Sequence, residues 1–107
     1  MNNTAIEAGV RLARVLIHAE HKPTTPKEND ALDELLGSLR AAMKDVADGS
    51  VFQAVQKVLR MHAIGNTAII SAVPPDRRRL LASRIARGFA IEHIRSLGDA
   101  QASGGAL

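Results

Sequence analysis

The chain has 107 residues and a formal net charge of +3, enough for one hydrophobic core and too short for a second domain. Hydrophobic residues make up 46% of it, but 18 of them are alanine, which leaves 31 Val, Ile, Leu, Met and Phe side chains for that core. The lack of cysteine excludes a disulfide framework, a thiol nucleophile and a zinc–thiolate centre, and residues 61–75, the longest uncharged stretch, fall short of the roughly 20 apolar residues a membrane span needs.

The first helix is expected over about residues 5–20, opened by Thr4 with Glu7 three positions later, a hydroxyl and a carboxylate that can each satisfy a free helix N–H. Ile6, Val10, Ala13 and Ile17 recur at helical spacing, Leu12 and Leu16 widen the stripe, and His21-Lys22-Pro23 ends it. Thr25-Pro26-Lys27-Glu28 is a stronger start, joining a capping hydroxyl, a proline at the first helical position and an acidic third residue. Along this second helix Leu32, Leu36, Leu39, Met43 and Val46 alternate by four and three residues, a heptad seam that Asp48-Gly49 closes.

Ser50 with Gln53 predicts the start of a third helix over about residues 51–64, with Phe52, Val55, Leu59 and His62 on one face. Gly65-Asn66 interrupts it. The apolar run over residues 67–73 then reads as a short buried helix or turn, because a lone strand of that length would need a partner from a second chain. Pro74-Pro75 ends the run and Asp76 follows in the first turn of a long final helix, expected to stop at Gly98 and leave a disordered tail over residues 99–107. The fold class expected is all-α, a small bundle of about four helices with a long carboxy-terminal helix.

Charge is distributed unevenly. Residues 1–48 hold six Lys/Arg against eight Asp/Glu, whereas residues 74–98 hold six against two, so a basic final helix sits on a slightly acidic body. A basic face attracts phosphate, acidic protein or anionic membrane alike. No phosphate loop, dinucleotide-binding glycine turn or serine elbow occurs, and no acid–base pair can be assembled from spacing, so no catalytic residue, cofactor or metal is assigned. His18 and His21 stand three apart at the end of the first helix, but without a third ligand they read as cations placed at its negative end. His62 and His93 read as core or boundary side chains.

A helix-turn-helix centred on Gly65 would place its recognition helix on residues 66–73, which carry no Arg, Lys or Gln to reach base edges. Arg77-Arg78-Arg79 fan around a helix and make no single phosphate-binding face. The more specific feature is that the final helix sets Leu80, Ile91 and Ile94 among Arg84, Arg87 and Arg95. Arginines around an aliphatic strip are a protein-interface pattern, and these six residues are the expected partner-binding surface. Burial on both sides of a long bundle helix would explain the same pattern.

The whole-chain profile, with capped helices at Thr25-Pro26-Lys27-Glu28 and Ser50-Val51-Phe52-Gln53 and the Arg-bearing helix after Val73-Pro74-Pro75-Asp76, resembles the small all-helical antiactivators of bacterial quorum sensing. That resemblance implies a dimer that binds the ligand-binding domain of a LuxR-type transcription factor, covers its dimerisation surface and keeps it off DNA. It carries no individual binding residue across. The expectation is thus a cytoplasmic, homodimeric regulator that is not an enzyme and has no membrane partner. The alternative is a small basic protein that holds the DNA phosphate backbone through the final helix. No basic leader with an apolar run and cleavage site opens the sequence, which supports the cytoplasmic expectation.

Overall fold

The computed structural model describes residues 1–64 and 68–105 and contains helices and turns, with no strand among the described residues. In chain order these are α1 (Asn3–Glu20), α2 (Pro26–Lys44), a 3-10 turn (Asp48–Ser50), α3 (Val51–Ile64), α4 (Ala68–Ser71) and α5 (Pro75–Gly105). The expected all-α bundle with a long final helix is the fold observed. The short element after α3 is the buried helix of the two readings, with Ile69, Ile70 and Val73 all buried. Gly65, Asn66 and Thr67 lie outside the described residues.

Local chemistry sets the helix starts. Thr25 is extended, its hydroxyl accepts the Glu28 N–H at 3.1 Å, and Pro26 follows in the first turn, where the missing N–H costs nothing. The start of α1 differs from expectation. Asn2, not Thr4, is the cap, and its side-chain oxygen accepts the Ala5 N–H at 2.9 Å. Glu7 is drawn instead to Arg40 on α2, with contacts of 2.6 and 3.2 Å. Ser50 likewise closes the 3-10 turn that runs directly into α3, its N–H donated to the Ala47 carbonyl.

The core joins every helix. Ile6, Val10, Ala13 and Ile17 of α1 are buried, as are Leu32, Leu35, Leu36, Leu39 and Met43 of α2 and Val55 and Leu59 of α3. The heptad seam of α2 is therefore used within the chain, where α1 and α3 cover it. Leu81, Ala82, Ile85, Ala86 and Phe89 form the buried side of α5. Leu12 corrects the sequence reading: it is 40% exposed, because α5 packs over Gly9 and leaves Leu12 at the edge of the α1–α5 contact.

α1 and α5 run antiparallel in close contact. Asn2 hydrogen-bonds Ser96 at one end, Gly9 meets Phe89 in the middle, and Glu20 holds Arg77 at the other end. The end of α5 is a second correction. Gly98 has no positive φ, so nothing turns the chain there, and the helix continues through Asp99-Ala100-Gln101-Ala102 to Gly105. Its 31 residues make a rod of roughly 46 Å at 1.5 Å per residue, which sets the molecule's long dimension of 51 Å. No helix among the described residues is long and apolar enough to cross a membrane.

Candidate functional site

The residues singled out on α5 come to lie on its outer side. At 100° per residue, Leu80, Arg84, Arg87, Ile91 and Ile94 fall within an arc of about 80°, with Arg95 on its edge. The arc points away from Ile85 and Phe89, whose burial fixes the inner side. Leu80 is 47% exposed, Ile91 43% and Ile94 69%, and all three arginines are exposed. Among the described residues no element buries the strip, and its three aliphatics stay 43–69% exposed, so burial on both sides of α5 does not account for them.

The arginines differ in what holds them. Arg95 Nη1 donates to Glu92 Oε1 one turn back at 3.1 Å. Arg84 contributes to the positive field that helps keep Glu20 below the ordinary glutamate pKa, behind the larger effect of the Arg77 hydrogen bond. Arg87 has no partner among the described residues. Exposed pairs of this kind are worth about 0–1 kcal/mol, so the guanidinium groups remain available to an incoming surface. The apolar area is what makes the strip unusual, since three large aliphatics in water between cations have no role in the core.

Sequence reasoning missed the continuation of this surface onto α1. Val15 is 63% exposed, and Leu12 lies against Gly88 of α5. With Ala8 and Ala19 they form an apolar stripe at i, i+4, i+7 and i+11, beside the α5 strip. The signal was in the sequence as a second, offset apolar periodicity, but only the position of α5 shows which of the two α1 stripes is covered.

Helical spacing takes Arg77 away from its two neighbours, while Arg78 and Arg79 both line a cleft beside α3. Arg77 is bound by Glu20 at 2.8 and 3.1 Å, Arg78 donates to the backbone carbonyls of Val73 and Ser71, and Arg79 turns toward α3. The histidines also go to separate partners: the His21 ring lies 2.8 Å from Glu28 Oε2, and His62 lies 2.9 Å from the Ser38 hydroxyl. Glu20, which lies between His18 and His21 in the chain, is occupied by Arg77. Among the described residues no group of three His, Cys, Asp or Glu is placed to hold a metal ion.

Comparison of the chain with protein-family models, curated proteins and solved structures finds no match to any of them.

Proposed function

We propose that this chain is a small cytoplasmic regulator, acting as a homodimer, that binds a LuxR-type transcription factor at its ligand-binding domain, blocks that factor's own dimerisation and so prevents DNA binding. The observation that supports this reading is the solvent-facing strip of α5, with Leu80, Ile91 and Ile94 exposed between Arg84, Arg87 and Arg95. Such a strip suits stoichiometric binding to another protein. The aliphatic centre supplies burial, and the arginines supply directed contacts to carboxylates or carbonyls at the rim. The choice of a LuxR-type partner rests on the whole-chain resemblance alone.

The test is binding to the purified ligand-binding domain of a LuxR-type regulator from the same cell, followed by calorimetry and by loss of the regulator's dimer in sedimentation. Ile91→Asp places a carboxylate in the middle of the strip. Ile91 is only 43% exposed in the free protein, so the substitution should cost about 1 kcal/mol of folding stability, and helicity and the melting temperature of the variant are measured before its binding is read. Affinity should fall by at least about 2 kcal/mol. Binding by the aliphatic centre should also weaken little between low and physiological salt, whereas phosphate-backbone binding weakens steeply. Unchanged affinity of a folded Ile91→Asp variant refutes the assignment of the strip. Specific retention of duplex DNA alone at physiological salt refutes the regulatory reading.

A further inference from the structure

On the α3 side of α5, away from the exposed strip, the first turns of α5 and the second half of α3 enclose a cleft of about 180 Å³ whose walls include Gln56, Leu59, Arg60, Pro75, Arg78 and Arg79. Its floor is apolar, because Leu59 and Ala82 beneath it are both buried. Its rim is cationic, and among the described residues no Asp or Glu lines it. This is a different environment from that of Arg14, Arg40 and Arg77, each of which meets a carboxylate. Arg60 and Arg79 have no carboxylate partner among the described residues.

Arg78 is already held in place. Its Nε donates to the Val73 carbonyl at 2.6 Å and its Nη2 to the Ser71 carbonyl at 3.3 Å. Carbonyls orient a guanidinium without cancelling its charge, and Nη1 keeps both of its N–H donors. Three like charges around one small cleft repel one another, and an anion seated between them relieves that repulsion. The cleft also opens at the first turn of α5, where the positive end of the helix dipole is offset by the Asp76 carboxylate, so the three arginines supply most of the positive potential.

We propose that this cleft binds a small phosphate monoester, the phosphate lying between Arg60, Arg78 and Arg79 and its carbon portion over Leu59, Ala82 and Pro75. A carboxylate is planar and one arginine fork satisfies it, whereas a phosphate presents three terminal oxygens in different directions and suits donors converging from three side chains. Its charge of about −1.5 to −2 at neutral pH also balances more of the rim than a carboxylate does. The cleft is small and open on one side, so its walls reach the phosphate and the carbon atoms next to it, and the remainder of the ligand extends into solvent. Free inorganic phosphate shares the anionic chemistry and lacks the part that would cover the floor.

The experiment is a nitrogen–proton correlation titration of the full chain with inorganic phosphate and with glycerol 3-phosphate, at ionic strength held constant with sodium chloride. Glycerol 3-phosphate should give saturable shifts concentrated at the amides of Gln56 to Arg60 and Arg77 to Arg79, and should saturate at lower concentration than inorganic phosphate. Arg60→Gln and Arg79→Gln, with helicity unchanged, should each weaken binding by at least about tenfold, as expected for a lost charge-assisted hydrogen bond. Arg84→Gln with Arg87→Gln should leave glycerol 3-phosphate binding as it was, so failure here is distinct from failure of the regulatory reading. Equal affinity for the two probes overturns the monoester assignment. Shifts that do not saturate, or that spread over arginines throughout the chain, overturn the site, and displacement of glycerol 3-phosphate by duplex DNA overturns the assignment to a small ligand.

Discussion

Replacing Gly9 by alanine adds one methyl group where α1 and α5 come together. Built on the existing backbone, the new Cβ falls 2.2 Å from Phe89 Cδ1, 2.5 Å from Cε1 and 2.9 Å from Cγ, all well inside an optimal carbon–carbon separation of about 3.5–4.0 Å. Phe89 is fully buried in the cluster that also contains Ile6 and Ile85, so its ring cannot relax into solvent. Two effects oppose each other. Alanine is favoured over glycine in a helix interior by about 0.8–1.0 kcal/mol, while forcing extra volume into a packed core costs about 1–3 kcal/mol. A contact this short belongs at the upper end of that range, so Gly9→Ala should destabilise the protein by about 2 kcal/mol.

Gly37 of α2 supplies the control, since a Cβ there meets nothing within 4 Å. Gly37→Ala then gains the helix preference without the clash and should stabilise by about 0.5–1 kcal/mol. For a domain of this size 1 kcal/mol moves the melting temperature by about 4 °C. The two variants should therefore fall on opposite sides of the parent, about 8 °C below and about 3 °C above it. Urea unfolding followed by far-UV circular dichroism measures both free energies. A Gly9→Ala protein as stable as the parent would refute the close α1–α5 packing. A destabilised Gly37→Ala would refute the open surface assigned to that position.

Thr25→Ala removes the side-chain cap of α2 and should cost about 1 kcal/mol in the same urea assay; no loss would mean that the Glu28 N–H is satisfied without the hydroxyl. Glu7, Glu20 and Glu28 are held below the ordinary glutamate pKa, first by hydrogen bonds from Arg40, Arg77 and His21 respectively. The unfolded chain lacks these partners and so binds more protons in acid. The stabilisation is present above the unfolded glutamate pKa and is lost as pH falls through the lower folded values. Unfolding measured stepwise below neutral pH should show stability declining across that window, and constant stability through it would contradict the three pairings.

The parts of the fold legible in the sequence are those that local chemistry decides. Thr25 and Pro26 specify the start of α2 by themselves, and Leu32, Leu36, Leu39 and Met43 are buried whichever helices cover them. What was not legible depends on contacts distant in the chain. Thr4 and Asn2 are both competent caps, and Glu7, which would have completed the box with Thr4, is held by Arg40, 33 residues away. The triplet 77–79 reads as three equivalent cations until Glu20, 57 residues from Arg77, removes one of them. The strip from Leu80 to Ile94 could be placed on one side of its helix from spacing, but whether a neighbouring helix covered that side depended on the packing of α1 and α3. The cleft at Arg60 needs α3 and α5 side by side, and no spacing within one helix encodes that.

The proposed homodimer can be assigned to a surface by symmetry. In a two-fold antiparallel pair each residue faces one at the mirrored position of its own helix. Centred on the α5 strip, such a pair sets Leu80 against Ile94 but brings Arg87 onto Arg87 of the partner subunit, with Arg84 of each subunit close by and no carboxylate between them in the strip. That arrangement suits a partner that supplies acidic groups, not a second copy. The α1 stripe has the opposite character: Leu12 would face Val15 and Ala8 would face Ala19, apolar throughout, with small residues at both ends to admit close approach. With the α2 seam already buried inside the chain, the proposed homodimer should form through α1, and sedimentation that gives only monomer refutes it. Val15→Glu, at a position 63% exposed, should leave the monomer folded and raise the dimer dissociation constant in sedimentation equilibrium by at least about tenfold, because pairing would bury an unpartnered charge. Salt provides the second reading. Pairing through α5 would strengthen as salt screens arginine from arginine, whereas pairing through α1 should show little dependence on it. A dimer that tightens with salt and ignores Val15→Glu would refute the α1 assignment.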